Sequence, residues 1–168
     1  SVAAAFADWA RASDAAFTEL QRLETENNRY WIAAYNLQDE LTSAVPDDQI
    51  TIRRADLPRD VRSLISYGVG CLMGRYSLAQ PGLVYAGGAW DATRYGALSP
   101  DVDGILPVLD TAYFPDDLTT RIKEFIGVAF GADALTQNLE FIAQALKPDF
   151  SGAALEVIRA YLLTDFSK

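Results

Sequence analysis

Residues 2–35 contain neither proline nor glycine, and apolar side chains recur through them at intervals of three and four: Phe6, Trp9, Ala16, Phe17, Leu20, Leu23, Tyr30, Trp31 and Ala34. That spacing places them on one face of an α-helix, with acids and arginines between them. At about 1.5 Å per residue the helix is about 50 Å long, more than a compact domain of this size needs. Part of it is therefore expected to project, or to pack on something outside the chain. The polar step Asn27-Asn28 interrupts the stripe. Asn36 is the expected stop, because asparagine tolerates the left-handed conformation that ends helices. This divides the chain into a long amphipathic helix over residues 1–36 and a helical domain over 37–168.

Beyond the first helix the signals remain mainly helical. Residues 37–56 read as a linker with a turn at Val45-Pro46-Asp47-Asp48, and Gln49-Ile50-Thr51-Ile52 alternates like a short strand. Asp56 stands where an N-cap belongs, with Pro58 in the first turn, and the next helix is expected to run to about Tyr76. Residues 78–107 are rich in glycine and proline and read as loops, with a second short strand possible at residues 82–86. Further helices are expected from Phe114 to Gly131, from Asp133 to Leu146 ahead of Pro148, and from Ser151, as cap, to Leu163. The expected class is mainly α, with about five helices and at most two short strands.

Composition supports helix and narrows function. Of the 168 residues, 26 are alanine and 19 leucine, both good helix formers. Fourteen Lys and Arg stand against 23 Asp and Glu, a net charge of -9, which disfavours DNA lying across most of the surface. There is no histidine, so a Ser–His–Asp triad, a Cys–His dyad and histidine-ligated metal sites are excluded within the chain. The single Cys71 has no thiol partner and sits in an apolar stretch, as a small buried hydrophobe would. No secretory signal is legible at the start. The longest uncharged apolar run, residues 63–74, is far shorter than the roughly 20 residues of a membrane span. A cytoplasmic location is the expectation.

Three local patterns bear on function. Gly68, Gly70 and Gly74 fall in a helical stretch. Gly70 and Gly74, four apart, suit close approach of another helix; the alternative, a phosphate-cradling loop, lacks the Lys-Ser/Thr ending. Arg53, Arg54, Arg59, Arg62 and Arg75 form a basic island of local charge +3 within 23 positions that hold only Asp56 and Asp60 as acids. Arg53, Arg54, Arg59 and Arg62 are candidate contacts to a DNA backbone; the competing reading is a solvated rim of ion pairs. On the first helix, Trp9, Phe17, Tyr30 and Trp31 are candidate partner-interface residues, with base stacking the lesser alternative. The carboxylate pairs Asp39-Glu40, Asp47-Asp48, Asp101 with Asp103, and Asp116-Asp117 lack the spacing of an acid/base pair or a calcium loop. No catalytic residue and no metal ligand is assigned.

Longer runs are distinctive. Glu24-Thr25-Glu26-Asn27-Asn28-Arg29, Tyr35-Asn36-Leu37-Gln38-Asp39-Glu40-Leu41-Thr42, residues 60–78 with the passage Ile65-Ser66-Tyr67-Gly68-Val69-Gly70-Cys71-Leu72-Met73-Gly74-Arg75-Tyr76, Pro81-Gly82-Leu83-Val84-Tyr85-Ala86-Gly87-Gly88, Asp116-Asp117-Leu118 and Asn138-Leu139-Glu140-Phe141-Ile142-Ala143 together resemble large bacterial N6-adenine DNA methyltransferases. These are the BREX phage-defence enzymes of the PglX type and related fused restriction–methylation enzymes. The resemblance touches most of residues 20–146. It implies a parent that transfers methyl from S-adenosylmethionine to an extruded adenine. It also implies an Asn/Asp-Pro-Pro-Tyr/Phe tetrapeptide and a glycine-rich cofactor loop, and neither is present here. No catalytic residue carries over. The implied role is a non-catalytic helical spacer between catalytic and recognition parts, partnered by the rest of the methyltransferase or other defence subunits. The rival is a free-standing interaction domain that docks a partner through the first helix.

Overall fold

Helix α1 occupies Val2–Ala34 in the computed structural model of the chain, which describes residues 1–166. It ends as the sequence asks. Asn36 adopts φ 56°, its N–H donates to the Ala33 carbonyl at 3.2 Å, and the Leu37 N–H donates to the Ile32 carbonyl at 2.9 Å. This pair of bonds is a Schellman termination, with Asn36 in the left-handed position. Four further helices follow: α2 (Leu57–Leu72), α3 (Leu118–Phe130), α4 (Leu135–Leu146) and α5 (Ala154–Thr164). The mainly α class and the count of five helices hold among the described residues. Ser167 and Lys168, the last residues of the expected 37–168 domain, lie outside the described residues.

Neither segment read as a possible strand forms one. Asp47–Gln49 is a 3-10 turn, and residues 82–86 are irregular. A strand needs a ladder partner, and residues 82–86 find only isolated bonds, such as the Val84 N–H donating to the Arg75 carbonyl at 2.9 Å.

The described residues pack as two units, Ala4–Asp56 and Ser1–Ala3 with the chain from Leu57 onward. In the first, Phe17 is buried with Val45 and Ile50, and Leu20 and Ile52 close around them. Gln21 fixes the returning linker by donating from Nε2 to the Val45 carbonyl at 2.8 Å and to Asp47 Oδ1 at 2.9 Å. The Ala55 N–H donates to Ser13 Oγ at 3.1 Å.

In the second unit α2, α3 and α4 pack on one another, and α5 packs on α3 and α4. Ile65 and Leu72 of α2, Ile122, Phe125 and Ile126 of α3, Ile142 of α4 and Ile158 of α5 are excluded from water. Each such side chain contributes about 1.5–3 kcal/mol by burial. Val2 belongs to this core, and its N–H donates at 2.9 Å to Oδ1 of the buried Asn138. No acid stands in the first turn of α1, so a side chain of α4 satisfies one of its orphan donors.

Four helix boundaries differ from expectation, one of them the start of α4, at Leu135 rather than Asp133 because Ala132–Ala134 forms a 3-10 turn. α2 stops at Leu72 rather than near Tyr76, because Gly74 takes φ 76° while Arg75 and Gly74 donate to the carbonyls of Gly70 and Cys71. α3 starts at Leu118 rather than Phe114, since Asp117 is the cap: its Oδ2 accepts from the Thr120 N–H at 3.0 Å. α5 starts at Ala154, and Ala153 rather than Ser151 holds the cap position.

Candidate functional site

The basic island divides between the two units. Arg54, in Ala4–Asp56, lies 3.1 Å from Asp14 and 3.4 Å from Asp47, and its guanidinium sits 4.0 Å above the Phe17 ring. Arg53 beside it is exposed. In the other unit, Arg59 pairs with Asp60 at 2.8 Å and is partly buried. Arg62 is exposed along a polar groove of about 320 Å³ shared with Lys147, Ser151, Tyr161 and the carboxylates of Glu156 and Asp165. Arg54 and Arg59 thus already face carboxylates. Arg53 and Arg62 make no hydrogen bond or ion pair among the described residues.

The four expected interface residues also separate. Trp9, Tyr30 and Trp31 are about half exposed or more, at 51%, 66% and 50%. Phe17 is 5% exposed and holds the linker against α1, so it faces inward rather than toward a partner. Toward the end of α1, Trp31 stacks on Tyr35 with ring centroids 6.0 Å apart and meets Tyr30 edge-on at 5.2 Å. Its Nε1 donates to Asn27 at 3.1 Å. Leu37 and Leu41 complete a shallow apolar groove beside them.

Gly70 and Gly74 occupy the two key positions of the α2 termination rather than one face of a continuing helix. A Cβ on Gly70 falls 2.6 Å from the Tyr76 ring, and one on Gly74 falls 2.8 Å from the Trp90 ring. The glycine that admits another helix is Gly68, whose Cβ position lies 2.8 Å from Phe125 of α3. Around Gly74 the chain forms an aromatic knot. Trp90 stacks on Tyr95 at 4.7 Å, Tyr85 meets Trp90 edge-on, and the Tyr95 hydroxyl donates to the Gly74 carbonyl at 2.7 Å.

The most strongly organised charged cluster was not singled out from the sequence. Arg159 of α5 forks onto Asp117, donating from Nη1 to Oδ1 at 2.6 Å and from Nη2 to Oδ2 at 2.8 Å. It also donates to the Leu109 carbonyl at 2.9 Å. Burial works against the Asp117 carboxylate, but the hydrogen bonds from Arg159 and Thr120 outweigh it and hold its pKa below the ordinary value. Asp116-Asp117 reads as a helix start in the sequence, and Asp117 is one. Its partner, 42 residues away, leaves no local signal. This cluster is structural, because both carboxylate oxygens are occupied by protein donors.

Elsewhere the carboxylates also serve the backbone. Asp101 Oδ1 accepts from the N–H groups of Asp103 and Gly104, and Asp103 Oδ1 accepts from that of Ile105. Cys71 is buried, and burial pushes its thiol pKa up. No group of metal-ligating side chains occurs among the described residues. A groove of about 630 Å³ along α3, α4 and the start of α5 has an apolar lining that includes Leu135, Leu139, Phe150 and Leu155, with Lys123 and Glu140 its only charges. Among the described residues no strand leads into a glycine-rich turn and helix. No described helix is long and apolar enough to cross a membrane.

No family model matches the chain. Its sequence is nevertheless similar, from end to end, to part of the adenine-specific methyltransferases. Adenine-specific methyltransferase PglX of Lacticaseibacillus casei (strain Zhang) is 46% identical over 170 residues, which cover 100% of this chain and 14% of that protein. Adenine-specific methyltransferase BrxX of Escherichia coli O9:H4 (strain HS) is 48% identical over 120 residues, covering 64% of this chain and 10% of that protein. The resemblance to PglX-type enzymes read from the sequence is borne out, and the chain spans only a small part of their length.

Proposed function

We infer that this chain is a non-catalytic helical spacer of a bacterial adenine-specific DNA methyltransferase of the BREX phage-defence or restriction–modification kind. It holds the DNA-recognition and catalytic parts in place. One observation carries the reading: identity of 46% runs across the whole chain but occupies 14% of the relative. The sequence adds support, since it has no Pro-Pro pair and hence no adenine-positioning tetrapeptide. Methyl transfer from S-adenosylmethionine then belongs to the parent, and the partner of this chain is the remainder of that protein or another defence subunit. The setting is cytoplasmic.

Contact with DNA is limited to the basic residues Arg53, Arg54, Arg59 and Arg62. Of these, Arg53 and Arg62 are the better placed, being exposed and without a carboxylate at ion-pair distance. Replacing Arg53 and Arg62 by Ala in the full-length protein that carries this segment tests the point. Each lost phosphate contact lowers the salt slope of DNA affinity by about 1 and weakens binding alike on all sequences. An unchanged slope in both variants removes the phosphate role.

A further inference from the structure

Residues 99–116 form a loop that is firmly held and yet turns large apolar side chains outward. It is pinned at four points: the Asp101 N–H donates to the Leu72 carbonyl at 2.7 Å, Arg121 to the Ser99 carbonyl at 2.6 Å, Arg159 to the Leu109 carbonyl at 2.9 Å, and the Leu118 N–H to the Pro107 carbonyl at 2.8 Å. Leu106 and Val108 pack inward on the core. Between these anchors Val102 is fully exposed, Ile105 is 66% and Tyr113 79% exposed, and Leu109 and Phe114 are a little under half exposed. The Asp101 and Asp103 turns fix the backbone that carries Val102 and Ile105. Exposing apolar groups on a fixed backbone favours association, because little chain entropy remains to be lost.

Charge selects the partner. Residues 99–116 contain Asp101, Asp103, Asp110 and Asp116 and no lysine or arginine. Four carboxylates repel a phosphate backbone or an anionic membrane and attract a cationic rim. We propose that residues 101–114 dock into an apolar pocket edged by Lys and Arg on another part of the same methyltransferase polypeptide. The choice of partner rests on the spacer reading above. In the PglX relative the matching segment is 14% of the protein, and covalent linkage keeps the remainder at high effective concentration.

Hydroxyl-radical footprinting of Val102, Ile105 and Tyr113 compares the 168-residue chain with the full-length protein that carries it. Labelling in the full-length protein is expected to fall about tenfold, as the core of an interface excludes solvent. It should recover when Asp110→Lys and Asp116→Lys are introduced together. Equal labelling in both proteins overturns the proposal. So does protection in the short chain that grows with its concentration, since a second copy then covers the loop. Protection that the two lysines leave intact overturns the cationic rim. A full-length protein that methylates adenine while these side chains stay labelled sinks the docking alone. Binding of S-adenosylmethionine by the short chain instead sinks the spacer reading and leaves the footprint to stand.

Discussion

The fork between Arg159 and Asp117 shows how single residues govern this fold. Asp117 at once caps α3, neutralises a buried guanidinium and, through Arg159, fastens the loop at Leu109. Removing it with Asp117→Ala leaves that guanidinium largely buried and unpaired, which costs about 3–5 kcal/mol in such pairs. Urea unfolding should show the loss as a lower midpoint. Because the folded pKa of Asp117 is depressed, its contribution is present at neutral pH and disappears as acid protonates the carboxylate, below about pH 4. Asp117→Asn should therefore flatten the acid limb of a stability–pH curve. Gly74 is the second sensitive position. Gly74→Ala forces a left-handed alanine, at about 1–2 kcal/mol, and brings its Cβ 2.8 Å from the Trp90 ring. A lower thermal midpoint with reduced near-UV signal from Trp90 is the expected result.

At the scale of elements, what the sequence revealed and what it concealed separate by range. The 3.6-residue period, the absence of breakers and Asn36 are local signals, and they placed α1 within a residue or two of its observed ends. Gly131 and Pro148 likewise closed α3 and α4. The glycine run misled because Gly70 and Gly74 have the spacing both of a packing face and of a Schellman termination. Only the return of Tyr76 and Trp90 decides between them. The start of α3 slipped because Pro115 and Asp116 imitate a first turn. Phe17 reads as an interface residue since its cover, Val45 and Ile50, lies across a linker with no regular pattern. Phe17→Ala should release residues 37–56 from α1, seen as faster amide exchange at Val45 and Ala55, while α2–α5 keep their protection. Unchanged exchange at Val45 and Ala55 contradicts that account of the linker.

For the whole molecule, the candidate site was legible mainly through likeness to a family and through what is missing. The sequence lacks histidine and a Pro-Pro pair, which removes histidine-based triads and metal sites and the adenine-positioning tetrapeptide, and the basic island carries the proposed DNA contact. Chemistry at the level of side chains then reduced four arginines to two well-placed ones, because Arg54 and Arg59 face their own carboxylates. The proposed spacer role, in which the methyl donor is held by other parts of the parent protein, is tested by calorimetry with S-adenosylmethionine. The 168-residue chain should give no binding heat, while the full-length protein that carries it binds the cofactor. Saturable micromolar binding to the 168-residue chain rules the spacer role out.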